Sequence, residues 1–248
     1  MPMINDNRLK PTRDNLFGPA PAPRRPASFD LYGPVHKGLR LALTGLLVRL
    51  GAQDWTDAEG TAALLDAMRA QLEISAAHLR HEEEHIHRLL DARQPEGAIR
   101  PRHQHEAHDA AFADLALMIE TIAATPGNAR PALGRRLYLR FSTFVAEDFE
   151  HMAEEEQAVQ PMLQALLTDE EMQAIEAGIL AAIPPARAQA FLRLMLPAMS
   201  RPERAAFLIG ARAKAPDDTA VAMIEGSAMN SLDAADWRDL QKRLALAA

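Results

Sequence analysis

Apolar residues recur every three or four positions along most of this chain, and alternation with a period of two is absent. That pattern predicts helices. His36, Leu39, Leu43, Leu46 and Leu50 share one face of a first helix. It starts near Pro34, a residue suited to a first turn, and Gly51 ends it. A second helix follows Thr56-Asp-Ala-Glu59, the spacing of a capping box, and runs to about Arg93, where Pro95 and Gly97 break it. Its seam reads Leu65, Met68, Leu72, Ser75, Leu79, Ile86 and Leu89. A third helix covers about 102–125 with the stripe Phe112, Leu115, Ile119 and Ile122, and Pro126-Gly-Asn stops it. A fourth covers about 129–167 with the seam Phe141, Val145, Met152, Val159, Met162 and Leu166.

Four long helices with short connections predict an all-α, up-down-up-down four-helix bundle over residues 34–168. Residues 1–33 read as a Pro-rich N-terminal arm (PAPAPRRPASF), either free or laid along the folded body. Residues 169–248 read as an additional C-terminal helical segment of three or four shorter helices. Thr168-Asp-Glu-Glu171 and Ser200-Arg-Pro-Glu203 are capping boxes in it, and Pro184-Pro185, Pro216-Asp-Asp and Asn230-Ser231 are its breaks. It carries no histidine and reads as packing material or interface.

Composition then narrows the chemistry. There is no cysteine, so disulfides, thiolate-ligated zinc, iron–sulfur clusters and thiol nucleophiles are excluded. A net charge of −7 argues against a nucleic-acid or anionic-membrane binder. No run of apolar residues is long enough to span a membrane, and the first residues lack an apolar signal core, so a soluble cytoplasmic protein is expected.

The polar residues that interrupt the seams carry the remaining signal. In His78-Leu-Arg-His-Glu82-Glu-Glu-His-Ile-His87, a His is followed four residues later by Glu, which puts both on one helix face. This spacing occurs four times (His78/Glu82, His87/Asp91, His105/Asp109, His151/Glu155), against roughly one expected by chance at average acid usage. Register discriminates better. Glu82 and Glu155 fall inside the apolar seams of their helices, with His78 and His151 beside them. The two stretches also superimpose, HLRHEEEHIHRLL on HMAEEEQAVQPML. A Glu in a core seam costs several kcal/mol if unpaired, so two at matching positions call for a shared cation. His36 begins the stripe of the first helix, and the stripe of the third, extended backward, meets His108 and His105, either of which can face the core. His87, nine residues beyond His78, points to the opposite face of a regular helix and is expected in solvent with Glu83 and Glu84. His81 and His85 are read as supporting or solvent-facing residues.

This constellation resembles the hemerythrin-like, or HHE cation-binding, family: one His on the first helix (His36), HxxxE on the second (His78, Glu82), one His on the third (His105 or His108) and HxxxE on the fourth (His151, Glu155). The resemblance covers about residues 31–168. It implies a left-handed four-helix bundle around two non-haem iron ions in an Fe–O–Fe type centre. In it Glu82 and Glu155 would bridge and the histidines would be terminal ligands, with zinc as a substitute metal. The oxygen-carrying members use HxxxH on the third helix and HxxxxD on the fourth, and this chain has neither. The site therefore looks closer to the four-His, two-Glu variants. The expected function is a diiron protein that senses or handles dioxygen, nitric oxide, peroxide or iron. The competing readings are a diiron enzyme of peroxidase, ferroxidase or nitric oxide reductase type, and a helical interaction domain with a structural metal. Oligomeric state leaves no mark in the sequence.

Overall fold

A computed structural model describes residues 29–246 of the chain. Most of the expected arm, residues 1–28, lies outside the described residues. The described residues are helices and short connections, with no strand among them.

Helix α1 (Gly33–Ala52) carries Pro34 in its first turn, and Gly51 lies within its last turn instead of ending it. Helix α2 (Ala58–His81) is capped by Asp57, whose carboxylate accepts from Glu59 N at 3.1 Å. The Thr56 box expected from the sequence does not form, because the Thr56 hydroxyl donates to Asp54 Oδ1 at 2.6 Å and leaves the cap to its neighbour. Helix α2 continues without a break through a π-helical turn (Glu82–His87) into α3 (Arg88–Arg93). Helix α4 spans Ile99–Ala123. A 3-10 turn (Gly127–Ala129) leads into α5 (Arg130–Glu154), which passes through a second π-helical turn (Glu155–Val159) into α6 (Gln160–Leu166).

The two π turns change the burial pattern beyond them. Each uses one extra residue to close its hydrogen-bonded ring, as in Gln160 N donating to Glu155 O. The buried face downstream is therefore displaced by one position. Leu90 is buried where Leu89 is expected, and Leu163 and Leu167 are buried where Met162 and Leu166 are expected.

Helix α1 packs against α2 and α5, and α4 packs against the same two, so the long helices enclose a common interior. Two apolar clusters fill it. One gathers Leu43, Leu50, Leu64, Met68, Phe112, Leu115, Phe141 and Phe144. The other gathers Tyr32, Ile86, Leu90, Val159, Leu163 and Met172. On every helix, the His and Glu residues of the seams lie between the two.

The C-terminal region holds five helices among the described residues, more than the three or four expected: α7 (Asp169–Ala182), α8 (Pro185–Ala198), α9 (Arg201–Lys214), α10 (Asp218–Ser231) and α11 (Ala234–Leu246). The Thr168 capping box forms with both its hydrogen bonds. Helix α8 lies along α1, where Gly38 leaves room for Leu194, and Lys37 pairs with Glu203 at 2.5 Å. A separate apolar cluster around Leu196, Leu208, Ile224 and Leu240 holds α8–α11 together. Buried Arg204 ties the corner by donating to Leu196 O and Met199 O and pairing with Asp236.

Candidate metal centre

Glu82 and Glu155 are fully enclosed, and none of their four carboxylate oxygens meets a donor in hydrogen-bonding geometry. Each sits at the first position of a π turn, four residues after a His. Glu82 Oε1 faces His78 Nε2 at 2.9 Å and His36 Nε2 at 3.6 Å, while Oε2 faces His105 Nε2 at 3.5 Å. Glu155 Oε2 is 3.4 Å from both His36 Nε2 and His151 Nε2. Glu155 Oε1 is 3.8 Å from His87 Nε2. Both carboxylates thus touch imidazoles from several helices.

Two overlapping groups of potential ligand atoms result. Glu82, His105, His151 and Glu155 offer atoms all within 4.8 Å of one another, and so do His36, His78 and Glu82. Glu82 belongs to both.

The outer nitrogen of three imidazoles is held by an acceptor. His36 Nδ1 lies 3.0 Å from Glu156 Oε1, which also accepts from Arg40 at 2.6 Å. His105 Nδ1 lies 3.1 Å from Glu83 Oε1. His151 Nδ1 lies 3.0 Å from Gln104 Oε1, whose Nε2 donates to Glu154 at 3.0 Å. An acceptor on Nδ1 fixes the proton there and turns the Nε2 lone pair inward. For His105 and His151 this aims two lone pairs at each other across 3.2 Å. That arrangement is repulsive unless a cation lies between or beside them.

The electrostatics agree. Burial pushes the Glu82 carboxyl up, but His78, His105 and His36 hold it well below the usual range. Burial and Glu82 both push Glu155 up, yet His36, His87 and His151 hold it at about 2. Burial acts to lower His36, and Glu155, Glu156 and Glu82 outweigh it and carry it well above its ordinary value. Burial drives His151 down to about 4. Glu82 and Glu155 are thus held as carboxylates beside His36 and His105, both raised, and His151, lowered, a set that accommodates cations far better than it does an empty core.

The structure separates the two histidines of the third helix. His105 points into the cluster. His108, though buried and 5.1 Å from the His151 ring, donates to Gln104 O at 2.6 Å through Nδ1 and meets Asp148 Oδ1 at 3.3 Å through Nε2. His103 is exposed, and His81 and His85 are half-buried outside the cluster.

Two sequence expectations are corrected. His87 is not in solvent but 1 % exposed, with both ring nitrogens unpartnered and its ring 4.8 Å from that of His105. The opposite-face argument assumed regular α-helix, and the π turn between Glu82 and His87 rotates His87 back inward. Glu83 is half-exposed, yet its carboxylate holds His105 instead of being merely solvated. Gln104, Glu156 and Tyr32 also escaped the sequence reading. A Gln or Glu one residue from a His or Glu of the seam was the only signal.

These features define an all-helical domain with a buried His–carboxylate cluster. The family model for the hemerythrin HHE cation binding domain matches residues 31–163, and the chain belongs to that family. No curated protein matches the sequence. No helix among the described residues is long and apolar enough to cross a membrane.

Proposed function

We propose that this chain is a non-haem diiron-binding protein that takes up a small exogenous ligand: dioxygen, nitric oxide or peroxide. The observation that carries the reading is the pair Glu82 and Glu155, buried and unpartnered in all four oxygens, each spanning imidazoles from more than one helix. In this reading His36 and His78 would hold one iron, and His105 and His151, with His87 beside Glu155, would hold the other. Glu82 and Glu155 would supply the carboxylates of the centre. His87 raises the donor set from the four His expected to five. His108 supports His151 and Asp148 without ligating.

The donor types suit the metal. Carboxylates neutralise cluster charge and imidazole suits iron, with zinc as a competitor at the same ligands. Bound iron would supply a redox-active site for a small ligand. The chain's own residues do the rest. Glu156, Glu83 and Gln104 fix the tautomers of His36, His105 and His151 before any metal arrives. The two apolar clusters on either side keep bulk water out.

The same reading takes residues 34–168 as an up-down-up-down four-helix bundle. The Pro-rich arm precedes it, and residues 169–248 form a helical extension braced on α1. The chain is read as a binding protein before a catalyst, in the cytoplasm. Metal analysis of freshly purified protein tests it: two irons per chain support it, and a metal-free chain of unchanged stability in chelator refutes it.

A further inference from the structure

Residues 29–32 form a strap across α6 and α7. Phe29 N donates to Asp169 Oδ1 at 2.9 Å, and Phe29 O accepts from Gln160 Nε2 at 2.6 Å. Leu31 N donates to Gln160 Oε1 at 3.3 Å. Asp30 Oδ1 closes the turn by accepting from Tyr32 N and Gly33 N. The strap delivers Tyr32 into the interior at the start of α1, one helical turn before His36. The Tyr32 ring is 1 % exposed and lies 5.2 Å from the His36 ring, against the apolar cluster of Ile86, Val159 and Leu163.

Its hydroxyl has no hydrogen-bond partner. A buried phenol normally finds one, because an unmade hydrogen bond there costs about 1–3 kcal/mol in desolvation. Glu82, Glu155, His36, His78 and His87 also carry unpartnered buried atoms, and these are lone-pair donors suited to a cation. Tyr32 differs from them: it brings an O–H. Burial first, then the negative charge of Glu155 and Glu82, keeps the phenol protonated.

We infer that the Tyr32 hydroxyl is the hydrogen-bond donor to a small exogenous anion bound at the centre. The inference rests on the two-metal reading above. It gives Tyr32 a positioning role: the O–H completes the site for a ligand that carries its own lone pairs, and the strap fixes where that ligand ends.

Azide is the probe. Full-length protein carrying two ferric ions per chain is titrated with azide and compared with Tyr32→Phe, which preserves the ring and removes only the hydroxyl. The expected result is unchanged metal content and azide binding weakened about threefold to tenfold, the worth of one neutral hydrogen bond. The vibrational frequency of bound azide should shift in D2O for the parent protein and not for the variant. Unchanged affinity, with no isotope shift in the parent, overturns the inference and leaves the two-metal reading standing. A phenolate-to-iron absorption band in the parent, lost in Tyr32→Phe, also overturns it by making Tyr32 a ligand. A parent protein that never holds two metals overturns both. Should the variant lose metal, the isotope shift of the parent alone decides, and its absence counts against the donor role.

Discussion

Glu82 and Glu155 occupy equivalent places on two helices: each follows a buried His by four residues, and each opens a π-helical turn. The equivalence extends to charge, since both are held as carboxylates in a place where burial opposes it. In the two-metal account this pair is the shared framework of the centre. Glu155→Gln keeps the shape and removes the charge. Metal content is expected to fall below one ion per chain, measured by elemental analysis after desalting, while helix content by circular dichroism stays unchanged.

The outer nitrogens give a subtler test. Glu83→Gln and Gln104→Leu leave every inward atom in place but disturb the acceptors that hold His105 and His151. Metal affinity, read by competition with a chelator, should fall about 10–100-fold in each variant. An affinity equal to the parent's would show that these contacts do not orient the ligands.

The π turn makes a prediction about register. Deleting Glu84, an exposed residue within it, lets Glu82–His87 close as ordinary α-helix. His87 would then follow His78 by eight regular α-helical steps and keep its inward face toward Glu155, because the residue removed is the turn's one extra residue. The variant should keep its helical signal and the burial of His87 and Leu90, with metal content near the parent's, whereas His87→Gln should weaken metal binding without abolishing the fold.

Protonation sets the stability of the metal-free protein. His151 is depressed to about 4 and Glu155 and Glu156 to about 2. The unfolded chain binds these protons more readily, so stability falls as pH drops from about 6.5 for His151, and from about 4.5 to 2 for the carboxylates. His36 and His105 are raised, so what they contribute is complete below about 6.5 and is lost as pH climbs through their folded values. Chemical denaturation of chelator-treated protein across pH should therefore show a maximum near neutrality with a decline on both sides. A stability that rises steadily into acid would contradict these assignments.

The extension is braced by close approach. A Cβ on Gly38 would collide with Leu194 of α8, so Gly38→Ala should cost about 1–3 kcal/mol of stability. Denaturant titration measures the cost, and metal stoichiometry should stay at the parent value.

Much of this architecture was readable from the chain because its helices obey one period. The stripes of α1 and α4 are buried as the spacing predicts, down to His36 and His105. The seam reading put Glu82 and Glu155 in the interior, where both are buried, because a carboxylate among leucines stands out. It failed for His87 because a π turn leaves no mark of its own. The shift of one residue was hidden by adjacent apolar pairs, Leu89-Leu90, Met162-Leu163 and Leu166-Leu167, in which either member fits a buried face. The choice between His105 and His108 was equally closed to sequence, since it depends on Asp148 of another helix capturing His108. Tyr32 escaped because the strap that inserts it is held by Asp169 and Gln160, far away in the chain.

Two irons held by Glu82, Glu155 and their histidines would show in both composition and colour. Elemental analysis of freshly purified protein, joined to its visible spectrum, tests this most directly. Two irons per chain are expected, with oxo-bridged ferric absorption that changes when azide is added. A protein that comes out with no metal, and whose melting temperature is the same in chelator as in added iron, would contradict it.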